Sequence, residues 1–191
     1  HSGNGKSFAR KAEAYARRLG FKVKRCDAAS YHPEDLHKEK VLLAIISTYG
    51  EGESPVASED LFEYLYSPGA ASLSGLSFSV LALGDRSYVH FCKAGKDLDA
   101  RLETLGGRRI FSRVDCDVDL SESAGNWLKG VLESLLPANA SGLKDAAFAA
   151  ADDGSTGYSA KKPFFAVMTA KKNLHKEHSL KETYHVQLQI K

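Results

Sequence analysis

Small polar residues, glycines and two tyrosines fall in three short stretches of this chain, and their types suit the holding of a phosphate. The first stretch is the opening His1-Ser2-Gly3-Asn4-Gly5-Lys6-Ser7, which runs into a helical pattern. Backbone N–H groups and the helix dipole favour an anion at such a place. Two phosphate chemistries fit it. Gly5-Lys6-Ser7 matches the tail of the P-loop G-x-x-x-x-G-K-[ST], whose first glycine would stand one residue before His1. A P-loop enzyme also needs a strand-end carboxylate to organise magnesium, and Asp85 is the candidate. Alternatively, Ser2, Gly3, Asn4 and Gly5 hold a monoester phosphate through N–H groups and hydroxyls, with no metal.

The second stretch is Ser47-Thr48-Tyr49-Gly50-Glu51-Gly52-Glu53-Ser54-Pro55, directly after a long apolar run. The third is Leu83-Gly84-Asp85-Arg86-Ser87-Tyr88, after another. A P-loop site has no use for an aromatic residue in each of these loops. A large flat ring does, because an aromatic face stacks on it at roughly 0.5–1.5 kcal/mol beyond burial. Glycines at 50, 52 and 84 let backbone approach the edge of such a ring. Together the three stretches suggest a mononucleotide with a planar head.

The elements that must carry these loops alternate. Lys6 to Leu19 has apolar residues on one helical face, with Gly20 as a stop. Phe21 to Cys26 alternates apolar and charged residues, as in a strand near a sheet edge. Val41 to Ser47 (VLLAIIS) is continuously apolar, the pattern of a parallel strand covered on both faces. Pro55 to Tyr66 reads as a helix, Phe78 to Leu83 as a strand, and Phe91 to Leu105 as a helix stopped by Gly106-Gly107. Arg109 to Val114 reads as a strand and Ser121 to Leu136 as the last helix. This alternation is the signature of an α/β fold with a doubly wound parallel sheet, whose ligands bind at the carboxyl ends of the strands.

The pattern opens inside a loop rather than with a strand, so the expectation is that the sequence is a piece of a longer chain at both ends, its first strand missing. Residues 137–160 are rich in Ala, Ser, Gly and Asp and read as a linker. Beyond it, Phe164 to Thr169 looks like a strand. Tyr184, Val186, Leu188 and Ile190 line one face of another. Residues 161–191 are too few for an independent β domain.

Composition narrows the classes further. The 191 residues are 43% hydrophobic and 26% charged, with a net charge of +2, so nothing points to nucleic acid. Cys26, Cys92 and Cys116 lie far apart, which suits a reducing compartment and no disulfide framework. No apolar run within this stretch is long enough to span a membrane.

STYGEGESP, LGDRSYVHF and the opening HSGNG resemble the FMN-binding, flavodoxin-like domain of diflavin reductases, over residues 1 to about 136. The stretch CKAGKDLDARLETLGGRRIFSRVDCDVD, followed by Trp127, is most similar to the flavoprotein (alpha) component of NADPH-dependent sulfite reductases. The stretch from Ser159-Ala160-Lys161-Lys162-Pro163 onward resembles the opening strands of that family's FAD-binding β-barrel domain.

The resemblance implies a site. Ser2, Gly3 and Asn4 match the phosphate loop, and Gly5 stands where Ala or Thr is usual. Lys6 is then only an early helix residue. Ser47, Thr48, Tyr49, Gly50, Glu51 and Gly52 match the second loop. Tyr49 stands where sulfite reductases carry Gln and the microsomal cytochrome reductase branch carries Tyr. Leu83, Gly84, Asp85 and Tyr88 match the third loop, with Tyr88 the main stacking partner. His90 and Phe91 shape the pocket wall, and Asp115 and Asp117 lie in a further loop at the same edge.

The implied activity is that of an oxidoreductase: NADPH reduces FAD, electrons pass to FMN, and FMN delivers them singly to a haem/iron–sulfur acceptor subunit. The implied partners are that subunit and the protein's own FAD/NADPH domain, in the cytoplasm, with no NADPH site within these residues. Two other readings belong to different classes: a P-loop nucleotide hydrolase, and a flavodoxin-like interaction module without cofactor.

Some features have plainer readings. Trp127 is expected in the core, and Cys92 and Cys116 as small buried residues. His175 and His178 are expected in a solvated turn. Glu51, Glu53, Glu59, Asp60 and Glu63 are either a solvated helix start or a docking surface for a basic partner.

Overall fold

The computed structural model describes residues 3–136, 167–173 and 184–189. The chain divides into two compact units, His1–Asp152 and Asp153–Lys191.

In the first unit, helix α1 spans Asn4–Arg18, α2 Glu59–Tyr66, α3 Lys93–Thr104 and α4 Ser121–Leu135. Strand β1 spans Val41–Ser47 and β2 Ser77–Leu83. They pair in parallel, residue for residue, from Val41 with Ser77 to Ser47 with Leu83. The other edge of β2 carries two short parallel segments, β3 (Arg108–Arg109) and β4 (Val114–Cys116). This is the doubly wound parallel sheet that the alternation predicts.

The faces of β2 divide the core. Leu81 and Leu83 join Phe8, Tyr15, Ala124, Trp127, Leu128 and Val131, from α1 and α4. Phe78 and Val80 join Leu65, Ala94, Leu98 and Leu102, from α2 and α3. Alternate residues of a strand point to opposite faces, so one apolar strand holds both layers. Helix α3 lies very close over β2, since a Cβ at Gly95 would come 2.3 Å from the Cβ of Ala82. Trp127 is core, as expected, and its indole Nε1–H donates to the buried Ser79 hydroxyl at 2.7 Å. An indole N–H needs such a partner when buried.

Three expectations change. Phe21–Cys26 forms no strand. An isolated extended segment needs a neighbour for its N–H and C=O groups, and no described strand pairs with this one. Arg17 Nη2 instead donates to the Val23 carbonyl at 2.5 Å. Strand β1, expected to be covered on both faces, has only Ile46 fully buried. Its edge away from β2 has no partner among the described residues. The strand expected over Arg109–Val114 is broken, with residues 110–113 outside the ladder and the register stepping by two between β3 and β4.

Side chains explain the break. Ile110 and Phe111 pack on the α1–α4 cluster, and Phe111 lies so close to Gly130 of α4 that a Cβ there would be 2.3 Å from its ring. Arg109 Nε and Nη2 each donate to the buried Asp99 carboxylate at 2.9 Å, and Arg113 Nη1 donates to it at 3.1 Å. Two short 3-10 turns, Ala28–Ser30 and Pro33–Lys38, fill the approach to β1. Asp27 caps the first by accepting from Ala29 N.

In the second unit, β5 (Val167–Asn173) and β6 (Tyr184–Gln189) form an antiparallel pair with an irregularity between Met168 and Ala170. Strand β5 runs past the expected end at Thr169. Exposed Lys171 and Lys172 cost nothing there, because that position needs no burial. Phe164–Ala166, the expected His175–His178 turn, Ile190 and the 137–160 linker lie outside the described residues. Among the described residues no helix is long and apolar enough to cross a membrane.

Candidate functional site

The loops leave the sheet at one level. Ser47, Leu83 and Cys116, the last residues of β1, β2 and β4, are register partners in turn. Thr48 N donates to the Leu83 carbonyl at 3.0 Å and Gly84 N to the Cys116 carbonyl at 2.9 Å. The second and third loops are therefore hydrogen-bonded to the strand ends beside them.

The start of α1 comes to the same edge, because a Cβ on Gly5 would lie 3.3 Å from Leu83 Cδ1 and 3.7 Å from Ile45 Cγ2. Gly3, before α1, is left-handed at φ +68°, a conformation that glycine adopts freely. Among the described residues no side chain caps this end, and its first turn holds no acidic residue. The first-turn N–H groups of a helix have no acceptor within it, so this end suits an anion. Lys6 points elsewhere: its Nζ pairs with Asp27 at 3.4 Å. Ser2 lies outside the described residues.

The second loop closes on itself. Tyr49 N donates to the Glu53 carbonyl and Glu53 N to the Tyr49 carbonyl, both at 2.9 Å. The turn needs positive φ at Gly50 (+50°) and Gly52 (+108°), with Glu51 exposed between them. Gly52 is buried, and a Cβ there would come 2.9 Å from His90 Cβ. That contact joins the second and third loops. Thr48 Oγ1 accepts from Ala94 N, in the first turn of α3, at 3.2 Å. The Tyr49 ring remains 56% exposed.

The third loop is held from several sides. Asp85 Oδ1 accepts from Ser87 N at 2.8 Å and from Ser87 Oγ at 2.6 Å. These two bonds, the hydroxyl's first, hold the Asp85 carboxyl below its ordinary range. The carboxylate is thus engaged within its own loop. Tyr88 N donates to the Asp85 carbonyl, and the Tyr88 ring is 63% exposed. Gly84 has no room for a side chain, since a Cβ would come 2.9 Å from Cys92 N, Cys92 Sγ and Phe91 Cδ2. Phe91 is half-buried, with the Arg86 guanidinium 5.3 Å and the Lys96 ammonium 5.5 Å from its ring centre. His90 is exposed beside it.

Asp117 follows β4, and its Oδ1 accepts from Arg86 N at 3.2 Å and from Val118 N at 2.8 Å. It ties the loop after β4 to the third loop. Asp115 lies within β4, not in the loop, and bonds Arg113 Nε at 2.7 Å. Glu59 and Asp60 occupy the first turn of α2, where carboxylates complement the helix dipole.

The structure thus brings Gly3, Asn4, Gly5, Thr48, Tyr49, Gly52, Gly84, Asp85, Tyr88 and Phe91 to one strand edge. Sequence reading missed Arg86 and Lys96 as the cations flanking Phe91, and Cys92 as the residue packed against Gly84. A cation five residues either side of Phe91 was the only trace of the flanking pair. The donor set fits a flat-headed mononucleotide: an uncapped helix end, side-chain-free approaches at Gly52 and Gly84, and two exposed rings.

Comparison with known proteins agrees with this geometry. Residues 1–127 match the family described as Flavodoxin. The sulfite reductase [NADPH] flavoprotein alpha-component of Bacillus subtilis (strain 168) is 42% identical over 189 residues, which are 99% of this chain and 31% of that protein. The protein of the same name from Shewanella sp. (strain MR-7) is 36% identical over 194 residues, covering 99% of this chain and 32% of that protein. The chain therefore spans about a third of the length of these relatives. A Streptococcus pneumonia flavodoxin superposes with a TM-score of 0.63 at 27% identity, covering 71% of this chain and 91% of that one. From its fold, its strand-end loops and these matches, the chain belongs to the flavodoxin family and is a relative of the flavoprotein alpha-components of NADPH sulfite reductases.

Proposed function

We propose that residues 1–136 bind FMN and serve as the electron-transfer module of an NADPH-dependent diflavin reductase of the sulfite reductase type. The observation that carries this is the pair of exposed rings, Tyr49 and Tyr88, on two loops hydrogen-bonded to one strand edge beside an uncapped helix end. Bound FMN supplies the redox chemistry, accepting electrons and releasing them one at a time. The chain's own residues bind, orient and shield it.

In this reading Ser2, Gly3, Asn4 and Gly5 hold the phosphate with N–H groups and hydroxyls, which needs no metal. Tyr49 and Tyr88 stack on the ring. Ser47, Thr48, Gly50, Glu51 and Gly52 offer backbone to one ring edge, and Leu83, Gly84 and Asp85 to another. His90 and Phe91 form the wall, and Asp117 steadies the third loop from behind. The pairing of Lys6 with Asp27 weighs against the P-loop alternative, which requires that lysine on a phosphate.

The near-complete alignment of the chain with sulfite reductase flavoproteins supports a wider proposal. Residues 137–160 act as a tether, and residues 161–191 begin an FAD-binding barrel. The complete protein takes electrons from NADPH through FAD to FMN. It passes them to a haem/iron–sulfur subunit in the cytoplasm, a reducing setting that three free cysteines suit.

The test is titration of the protein with FMN, read by flavin absorbance and by fluorescence. Binding with quenched fluorescence, weakened by Tyr88→Ala, supports the reading. A protein that ignores FMN and binds ATP with Mg²⁺ refutes it.

A further inference from the structure

Cys92 is the one residue besides glycine with positive φ among the described residues, at +57°. It stands immediately before α3 and is fully buried. Residues with a Cβ avoid this left-handed backbone, and where they adopt it the surroundings must hold them there.

Two contacts hold this one. The Cys92 Sγ lies 3.4 Å from the Ala82 carbonyl and 3.6 Å from the Cys116 carbonyl, near the ends of β2 and β4. Burial pushes the thiol up to about 12, so it stays a neutral S–H donor towards those oxygens. Gly84, where the third loop begins, lies against Cys92, where it ends: a Cβ on Gly84 would come 2.9 Å from both the nitrogen and the Sγ of Cys92. The same missing Cβ would touch the ring of Phe91 at 2.9 Å. Asp85, Tyr88 and Phe91 all lie between these two abutting residues.

We propose that Cys92 is a positioning residue: its strained backbone and its two carbonyl contacts close the third loop on Gly84 and so fix where Tyr88 and Phe91 meet the flavin. This rests on the FMN reading above. The thiol takes no part in electron transfer. It reaches the ligand only through the loop.

The two ingredients separate by substitution. C92A keeps the Cβ and removes the donor. C92S restores a donor of similar size. The full chain is titrated with FMN by fluorescence quenching, and amide hydrogen exchange is followed without flavin. C92A is expected to weaken FMN binding about five- to tenfold, the worth of one modest hydrogen bond shared between the two carbonyls. Exchange should quicken at Ser87, Tyr88 and Lys93 while the β2 amides stay protected, and C92S should recover most of both.

FMN affinity and loop exchange in C92A equal to those of the parent would overturn the proposal. So would exchange that quickens evenly through β2 and α4 with no recovery in C92S, because Cys92 would then be only a core filler. If C92A does not fold, C92G takes its place, since it also removes the donor and relaxes the left-handed backbone: losses of FMN affinity and exchange protection confined to the loop support the proposal, and parent-like values or losses spread through the sheet overturn it. If the parent chain itself ignores FMN, the functional reading fails, while loop exchange still decides whether Cys92 positions the loop.

Discussion

Strands β1 and β2 look alike in sequence and lie side by side over seven residues, yet six of the seven residues of β2 are buried and only Ile46 of β1 is. Both present apolar side chains to both helical layers. The difference lies at the edges. Strand β2 has β1 on one side and β3 and β4 on the other, whereas β1 has a described partner on one side only. An apolar run records the cover that a strand requires. Burial records the cover that its neighbours supply.

The sharpest test compares register partners on the same face. Ile45 pairs with Leu81, and both pack on the α1–α4 cluster. Leu81→Ala should lower stability by about 3–4 kcal/mol, as for a fully buried leucine, and Ile45→Ala by about 1–2 kcal/mol. Chemical denaturation measures both, and equal losses would break the distinction between the strands.

Next in size is Gly95→Ala. Its new methyl would press on Ala82 of β2, so α3 must lift, at a cost of about 1–3 kcal/mol. Thermal melting should register this as a clear drop. An unchanged melting temperature would mean that the helix rests on β2 less tightly than described.

The loops after the two strands extend the comparison to ligand. Tyr88→Ala and Tyr49→Ala should each weaken FMN binding by the roughly 0.5–1.5 kcal/mol of a stacked aromatic pair. Titration should find the larger loss at Tyr88, whose loop is braced by Asp117 and Cys92, and little effect on stability from either exposed ring. A larger loss at Tyr49 would reverse the ranking of the loops.

The smallest effect is expected at Gly5→Ala. Its methyl meets only side-chain tips, at 3.3 Å from Leu83 and 3.7 Å from Ile45. Alanine in a helix gains about 1 kcal/mol over glycine, so calorimetry should find stability unchanged or slightly raised.

Much of this is legible in the sequence alone. The helices, β1 and β2 announce themselves through periodicity, because local pattern and tertiary burial agree there. The three loops at the strand ends stand out because glycine, hydroxyl and tyrosine residues gather in them between the periodic stretches. Phe21–Cys26 misled because alternation tells which residues would line a strand and says nothing about a partner. The break between β3 and β4 was hidden because its cause is distant in sequence: Gly130 admits the Phe111 ring, and Asp99 collects Arg109 and Arg113. The clasp of Phe91 by Arg86 and Lys96 was hidden for a similar reason, since it depends on the turn that Asp85 and Ser87 make between them.

Asp99 has a consequence beyond charge. The line formed by β3 and β4 meets β2 through only two and three residue pairs, and so short a ladder is open to slippage. A slip of two residues would even keep each side chain on its proper face. Asp99 grips Arg109 in β3 and Arg113 just before β4, so sliding in either direction tears a buried, charge-assisted bond. The carboxylate works as an indexing pin. It keeps Cys116 level with Leu83, and with it the carbonyl that accepts from Gly84 N at the start of the third loop.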